Sequence, residues 1–284
     1  MKKVRYFIEY LIIKLFFFIF KFLGLKKSSY ISGKIFSFFG PFFRKKNTIT
    51  NNIKKAFPKA SNIEIVKIIN EMWNYYGRVF AEYSFMKYFR NTNHHIELEG
   101  SDILKDIKKN QESVIFVSGH FDNFELMAME IEKSGINLAA IYRPLNNIFM
   151  NNTMESIRKK YICKKQIKKG RSSIRSLINY FKEGYSIALM IDQRVSEGIK
   201  LNFFGSNAYT TTIPAQFVKK FNCKIVPIFI ERKNQIKFKI KVYKPISYSK
   251  DEDILKVTKQ LNEWLEQMIL KKPSQWIWSH DRWK

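Results

Sequence analysis

The chain has 284 residues, 45% hydrophobic and 16% aromatic, which suits one large core-forming domain and excludes a disordered chain. Its 51 Lys and Arg against 24 Asp and Glu give a formal net charge of +27, a field that favours nucleic acid, anionic lipid headgroups or an acidic carrier protein. Lys, Asn, Ile and Phe are all abundant, a bias that codon usage alone can produce, so charge by itself names no partner.

The first predicted element is apolar. Residues 6–25 read YFIEYLIIKLFFFIFKFLGL, flanked by Lys2, Lys3 and Arg5 before and by Lys26 and Lys27 after. About 20 apolar residues suffice to cross a bilayer. Glu9, Lys14 and Lys21 interrupt the run, and Lys14 and Lys21 share one helix face. Two readings stand: a helix lying in the membrane interface, or a tilted span with snorkelling ends. A cleaved signal peptide is disfavoured, because GLKKSSY offers no small-residue cleavage site. The basic, aromatic stretch over 31–46 extends the membrane-facing surface. Residues 1–46 are therefore expected to form a membrane-anchoring helical segment, and 47–284 a catalytic domain.

From Thr50 to Phe89 the apolar spacing is helical, broken in two by Pro58. Elements then alternate. VIFVS (114–118) predicts a strand, and residues 122–135 a helix closed by Gly135. LAAIY (138–142) predicts a strand, and 146–161 and 172–184 predict helices. SIALMID (186–192) predicts a strand, and 211–222 a helix with Pro214 in its first turn. KIVPIFI (224–230) and KFKIKVY (237–243) predict strands, and 252–272 a long amphipathic helix. This alternation predicts an α/β fold with a central, mainly parallel sheet flanked by helices, preceded by an N-terminal membrane-associated helix.

Cys163 and Cys223 form no close pair, and with four histidines no zinc-type spacing exists, so neither metal nor cofactor is expected. No G-x-S-x-G elbow is present, so a covalent acyl-enzyme is not suggested. The informative stretch is SGHFDNFEL, residues 118–126. His120 follows the predicted strand, at the carboxyl end where ligands bind in open α/β sheets. Two readings of Glu125 stand. With a turn between them it can reach back to the imidazole and leave the other ring nitrogen free as a general base. Alternatively Asp122-x-x-Glu125 is a capping box that merely closes the helix start. Asp192 and Gln193 also follow a strand and can hold hydroxyls or simply cap it. Arg143, Arg171, Arg175 and Arg194 are candidates for phosphate or carrier contacts and equally read as surface charges. Thr210, Thr211 and Thr212 read as helix capping or an anion-binding helix start. Trp276, Trp278 and Trp283 read as packing or an interfacial belt, and His280 as non-catalytic.

SGHFDNFE resembles the H-x4-D/E motif of lysophospholipid-type acyltransferases, in its Glu form. NNIKKAFP (51–58), EMWNYYGRVFAE (71–82), IYRPLNN (141–147), residues 168–193, residues 203–229 and QWIWSHDRWK (275–284) resemble, in order, blocks of the lipid A biosynthesis acyltransferase family. The likeness spans most of the chain. It implies that His120 and Glu125 are the catalytic pair, and Arg143 matches the family's arginine in the second block; Asp192, Gln193, Arg194 and Arg171 are expected to bind substrate from their own positions and charge. It implies an acyl thioester on acyl carrier protein, or coenzyme A, as donor. It implies an anionic, Kdo-bearing lipid A precursor as acceptor, at the cytoplasmic face of the inner membrane, with no nucleic acid involved. The acidic Pro-Glu-Gly block of glycerolipid enzymes is missing; only SEG at 196–198 stands nearby. Two other readings remain: another lipid acceptor such as an ornithine lipid or glycolipid, and a membrane-tethered basic binding protein resting on charge alone.

Overall fold

A computed structural model describes residues 2–43, 46–170 and 172–284. The chain opens with two helices, α1 (Lys2–Leu23) and α2 (Leu25–Phe39), then α3 (Lys46–Ala56) and α4 (Asn62–Glu82). Pro58 separates the latter two as expected, and Ser61 with Glu64 closes the start of α4 as a reciprocal capping box. A short helix, α5 (Met86–Asn91), leads into the α/β region.

That region runs β1 (Ile96–Glu99), α6 (Ser101–Lys109), β2 (Ile115–Ser118), α7 (Glu125–Lys133), β3 (Leu138–Tyr142), α8 (Ile148–Ile157), β4 (Lys165–Lys168), α9 (Ser173–Lys182) and β5 (Ser186–Met190). A hairpin of β6 (Ile199–Phe203) and β7 (Ser206–Thr210) follows, then α10 (Ile213–Phe221), β8 (Ile225–Asn234), β9 (Lys237–Val242) and α11 (Ile254–Lys271). Seven strands form one sheet in the order β1-β9-β8-β2-β5-β3-β4. All neighbours are parallel except β8 and β9. The expected α/β class with a mainly parallel sheet is therefore what forms. The central strands are buried on both faces; Ile115, Phe116 and Val117 of β2 are no more than 1% exposed.

The N-terminal helices lean on α4. Small residues make this close approach possible: Ser28, Ser29, Ser32 and Gly33 are the buried positions of α2. Ser32 Oγ donates to the Gly77 carbonyl at 2.6 Å, and a Cβ at Gly77 would collide with the Ser32 carbonyl. From α1 only Phe17 and Phe20 are buried, packed around Phe80. Most of its other large apolar residues face outward, with Phe18 72% and Phe22 88% exposed, and Phe38 and Phe42 are exposed beyond it. Among the described residues no helix is long and apolar enough to cross a membrane. The spanning reading of residues 6–25 is thereby corrected: Glu9, Lys14 and Lys21 interrupt every window of spanning length.

Candidate functional site

Parallel pairing sets the site. Because β2 and β5 run side by side with Ser118 opposite Met190, the residues after each strand emerge together at one edge. His120 follows β2 and Asp192 follows β5. The Asp192 carboxylate accepts from His120 Nδ1 at 2.7 Å through one oxygen, and from the His120 backbone N–H at 2.8 Å through the other. The second oxygen also accepts from Trp276 Nε1 at 2.9 Å. Burial alone would raise this carboxyl, but the His120 charge and these hydrogen bonds overcome it and hold Asp192 below the usual range. An Nδ1 proton held by a carboxylate leaves the lone pair on Nε2, the tautomer a general base needs. Asp192 is fully buried and the imidazole about one-fifth exposed.

His120 and Phe124 line a cleft with Met72, Tyr75, Tyr76 and Val79 of α4 and with Trp276 and Ile277. Its empty space is about 390 Å³, partly open to solvent. The walls are mostly apolar, which suits an alkyl chain beside a base. Phe124 packs edge-on to the imidazole, centroids 4.8 Å apart.

Glu125 does not reach His120. Its carboxylate accepts from Arg158 Nη2 at 2.5 Å and Nε at 2.8 Å, and from the Tyr83 hydroxyl. Burial and the Glu125 charge both push the Tyr83 hydroxyl up. The expected Glu125–imidazole hydrogen bond is thus corrected: Glu125 opens α7 and turns toward Tyr83, just past α4, and Arg158, just past α8, while the imidazole turns toward Asp192 after β5. The capping-box alternative is not formed either, since α7 has no side-chain cap. Asp122 sits at φ +39 and is spent elsewhere. Arg232 donates to it at 2.5 and 2.9 Å and to Glu82 at 2.6 and 3.0 Å. Ser29 of α2 and Asn123 also donate to Glu82, at 2.8 and 2.9 Å. All three charged members are almost wholly buried, so each needs its partners.

The remaining candidates are placed as follows. Arg143 is exposed just beyond β3, on the same sheet edge as His120 but two strands away. Gln193 is half-buried next to Asp192. The Arg194 backbone N–H donates to His280 Nε2 at 3.1 Å, and its guanidinium stacks over Tyr209 at 5.3 Å. Arg171 lies outside the described residues. His280 is closer to the centre than the sequence suggested, and burial pushes its imidazole down, toward the neutral form. Thr210 is not an anion contact: it is buried and accepts from Arg282 Nη2 at 2.7 Å. Trp276 and Trp278 are core residues rather than a belt. Nothing local in the sequence marks Trp276 as a donor to Asp192, or Arg158 and Arg232 as partners of Glu125 and Asp122. Among the described residues no cluster of acidic, His or Cys side chains could hold a metal ion.

The profile described as "Bacterial lipid A biosynthesis acyltransferase" matches residues 1–284. A lipid A biosynthesis myristoyltransferase of Escherichia coli K12 is 22% identical over 236 residues, 80% of this chain and 71% of the relative. A lipid A biosynthesis palmitoleoyltransferase of the same strain is 23% identical over 252 residues, 86% of this chain and 80% of the relative. Among solved structures, a 1-acyl-sn-glycerophosphate acyltransferase of Thermotoga maritima aligns over 94% of this chain and 99% of its own, at 15% identity and a TM-score of 0.39.

Proposed function

Given that the chain belongs to the bacterial lipid A biosynthesis acyltransferase family and is an acyltransferase acting on lipid A precursors, we propose that it moves a fatty acyl chain from acyl carrier protein to a hydroxyl of a Kdo-bearing precursor. His120 is the base. The acceptor hydroxyl gives its proton to Nε2 as its oxygen attacks the thioester carbonyl. Asp192 stabilises the imidazolium that forms. Collapse of the tetrahedral intermediate breaks the carbon–sulfur bond, and the leaving thiolate takes the proton back from Nε2. No covalent acyl-enzyme is needed. Glu125 acts as a positioning residue that fixes Arg158 and the start of α7 behind the site. Arg143, Gln193, Arg194 and Arg171 are the proposed contacts to the anionic acceptor. The exposed apolar face of α1 and α2, edged by lysines, supports attachment in the interface at the cytoplasmic face of the inner membrane.

The observation that carries this reading is the His120–Asp192 pair beside an apolar cleft. Its test is turnover of an acyl thioester with a Kdo-bearing precursor. His120→Ala should lose on the order of 10²- to 10⁴-fold in rate while binding to vesicles is kept. Unchanged turnover removes His120 as the base.

A further inference from the structure

One charged feature is not used by that chemistry. Between Arg158 and Lys182 the sequence holds seven lysines and three arginines and no acidic residue. Folding wraps this segment around the free edge of the sheet: a turn over 158–162, then β4, then α9. Part of the charge is neutralised locally. Arg158 pairs with Glu125, and Lys159 and Lys168 both pair with Glu155 at 2.7 and 3.2 Å. Lys160, Lys164, Lys169, Arg175 and Lys182 are exposed, and no ion pair with an acidic side chain is found for them among the described residues.

Lysines on an edge strand also guard against unwanted strand pairing. That role needs charges on β4 alone, and most of these lie on the flanking turn and helix. Their placement relative to the site is more telling. β2, β5, β3 and β4 are parallel, so Lys168 and Lys169 emerge at the same edge as His120 and Asp192. They stand three strands from β2, roughly 14 Å. Between them the sheet parts: β5 stays paired to β2 as far as Met190 and β4 to β3 as far as Lys168, but β3 and β5 are paired only to Ala140 and Ala188. The ridge differs from the lipophilic face as well. Among its described residues Ile174 is the only exposed large apolar side chain, whereas α1 and α2 expose many, Phe18, Phe22 and Phe38 most of all. A surface with high charge and little apolar area faces water and suits an acidic protein better than acyl chains.

We propose that the ridge formed by the 158–162 turn, β4 and α9 is the docking surface for an acidic carrier protein, which would present its acyl arm along the strand-end crevice toward His120. This rests on the acyl-thioester reading above. The test is direct binding of holo acyl carrier protein to the full chain, followed by fluorescence anisotropy at low and high salt. The triple variant Lys164→Glu, Lys169→Glu, Arg175→Glu should weaken binding on the order of 10-fold or more at low salt, with the difference shrinking as salt rises. In turnover it should raise KM for the acyl carrier and leave kcat, and turnover of acyl coenzyme A, unchanged. Unaltered carrier binding, or an equal loss with both donors, overturns the proposal. So does loss of binding to vesicles containing anionic lipid with carrier binding intact, which would make the ridge a headgroup contact. His120→Ala should bind the carrier normally, so failure of the base assignment and failure of the ridge give different results.

Discussion

Asp192 reaches His120 from the neighbouring strand, and Glu125 turns instead to Arg158 and Tyr83. The two carboxylates therefore fail differently when neutralised. Asp192→Asn keeps the shape but supplies an amide in place of the acceptor that fixes the Nδ1–H tautomer. Turnover should fall roughly 10²- to 10⁴-fold while the chain still folds. Glu125→Gln leaves the buried Arg158 without its counter-charge, a change that costs about 3–5 kcal/mol in comparable buried pairs. Urea unfolding measured beside turnover separates the two. If Glu125→Gln slows the reaction as strongly as Asp192→Asn at unchanged stability, Glu125 acts on the imidazole after all. Acid stability follows the same site. The Asp192 carboxyl is held below its ordinary value, so its contribution is present above that value and lost as pH falls through its folded one.

The seam between α2 and α4 depends on the absence of side chains. Gly77→Ala places a Cβ against the Ser32 carbonyl and Phe36, both on a packed helix, so the helices must separate. A loss of about 1–3 kcal/mol is expected, read by thermal or urea unfolding. Elements of this region and of the central sheet were legible in the sequence because burial writes them there. VIFVS and LAAIY are apolar runs that end where β2 and β3 end, and SIALMID overruns β5 by two residues because Asp192 leaves the strand to meet His120. β4 was not legible, because KQIK at a sheet edge has lysines where a central strand has valines. β1, IELE, is masked in the same way by paired Glu97 and Glu99, which face Lys239 and Lys241. The start of α7 slipped three residues because Asp122 answers to Arg232, more than a hundred positions away. His120 and Asp192 were both visible as strand-end polar residues. Their partnership was not, because it depends on β5 lying beside β2, and strand order across a parallel sheet leaves no local trace.

Over the whole molecule, exposed large apolar side chains gather on α1 and α2, edged by lysines, while the described part of the ridge around β4 exposes Ile174. If α1 lies in the interface, each exposed phenylalanine withdrawn from water is worth about 1.5–3 kcal/mol. Phe18→Asp with Phe22→Asp should therefore weaken vesicle binding at least tenfold, measured by co-sedimentation, with turnover of a water-soluble acceptor analogue retained. Acid lability has a second source in His95. Burial first, then Lys133, His94 and Lys237, push the His95 imidazole down to about 4. The unfolded chain takes that proton near 6.5 and the folded one does not, so stability drops as pH falls between those values. His95→Gln should flatten that part of the stability profile.

Trp276 has a consequence of another kind. The indole that holds Asp192 and the carbonyl of Gln275 that accepts from the Asp122 backbone N–H come from a segment translated long after His120. If α1 and α2 bind lipid and His120 is the base, a chain still on the ribosome exposes those helices well before the Trp276 donor to Asp192 is made. On that proposal, attachment to the bilayer can precede catalytic competence.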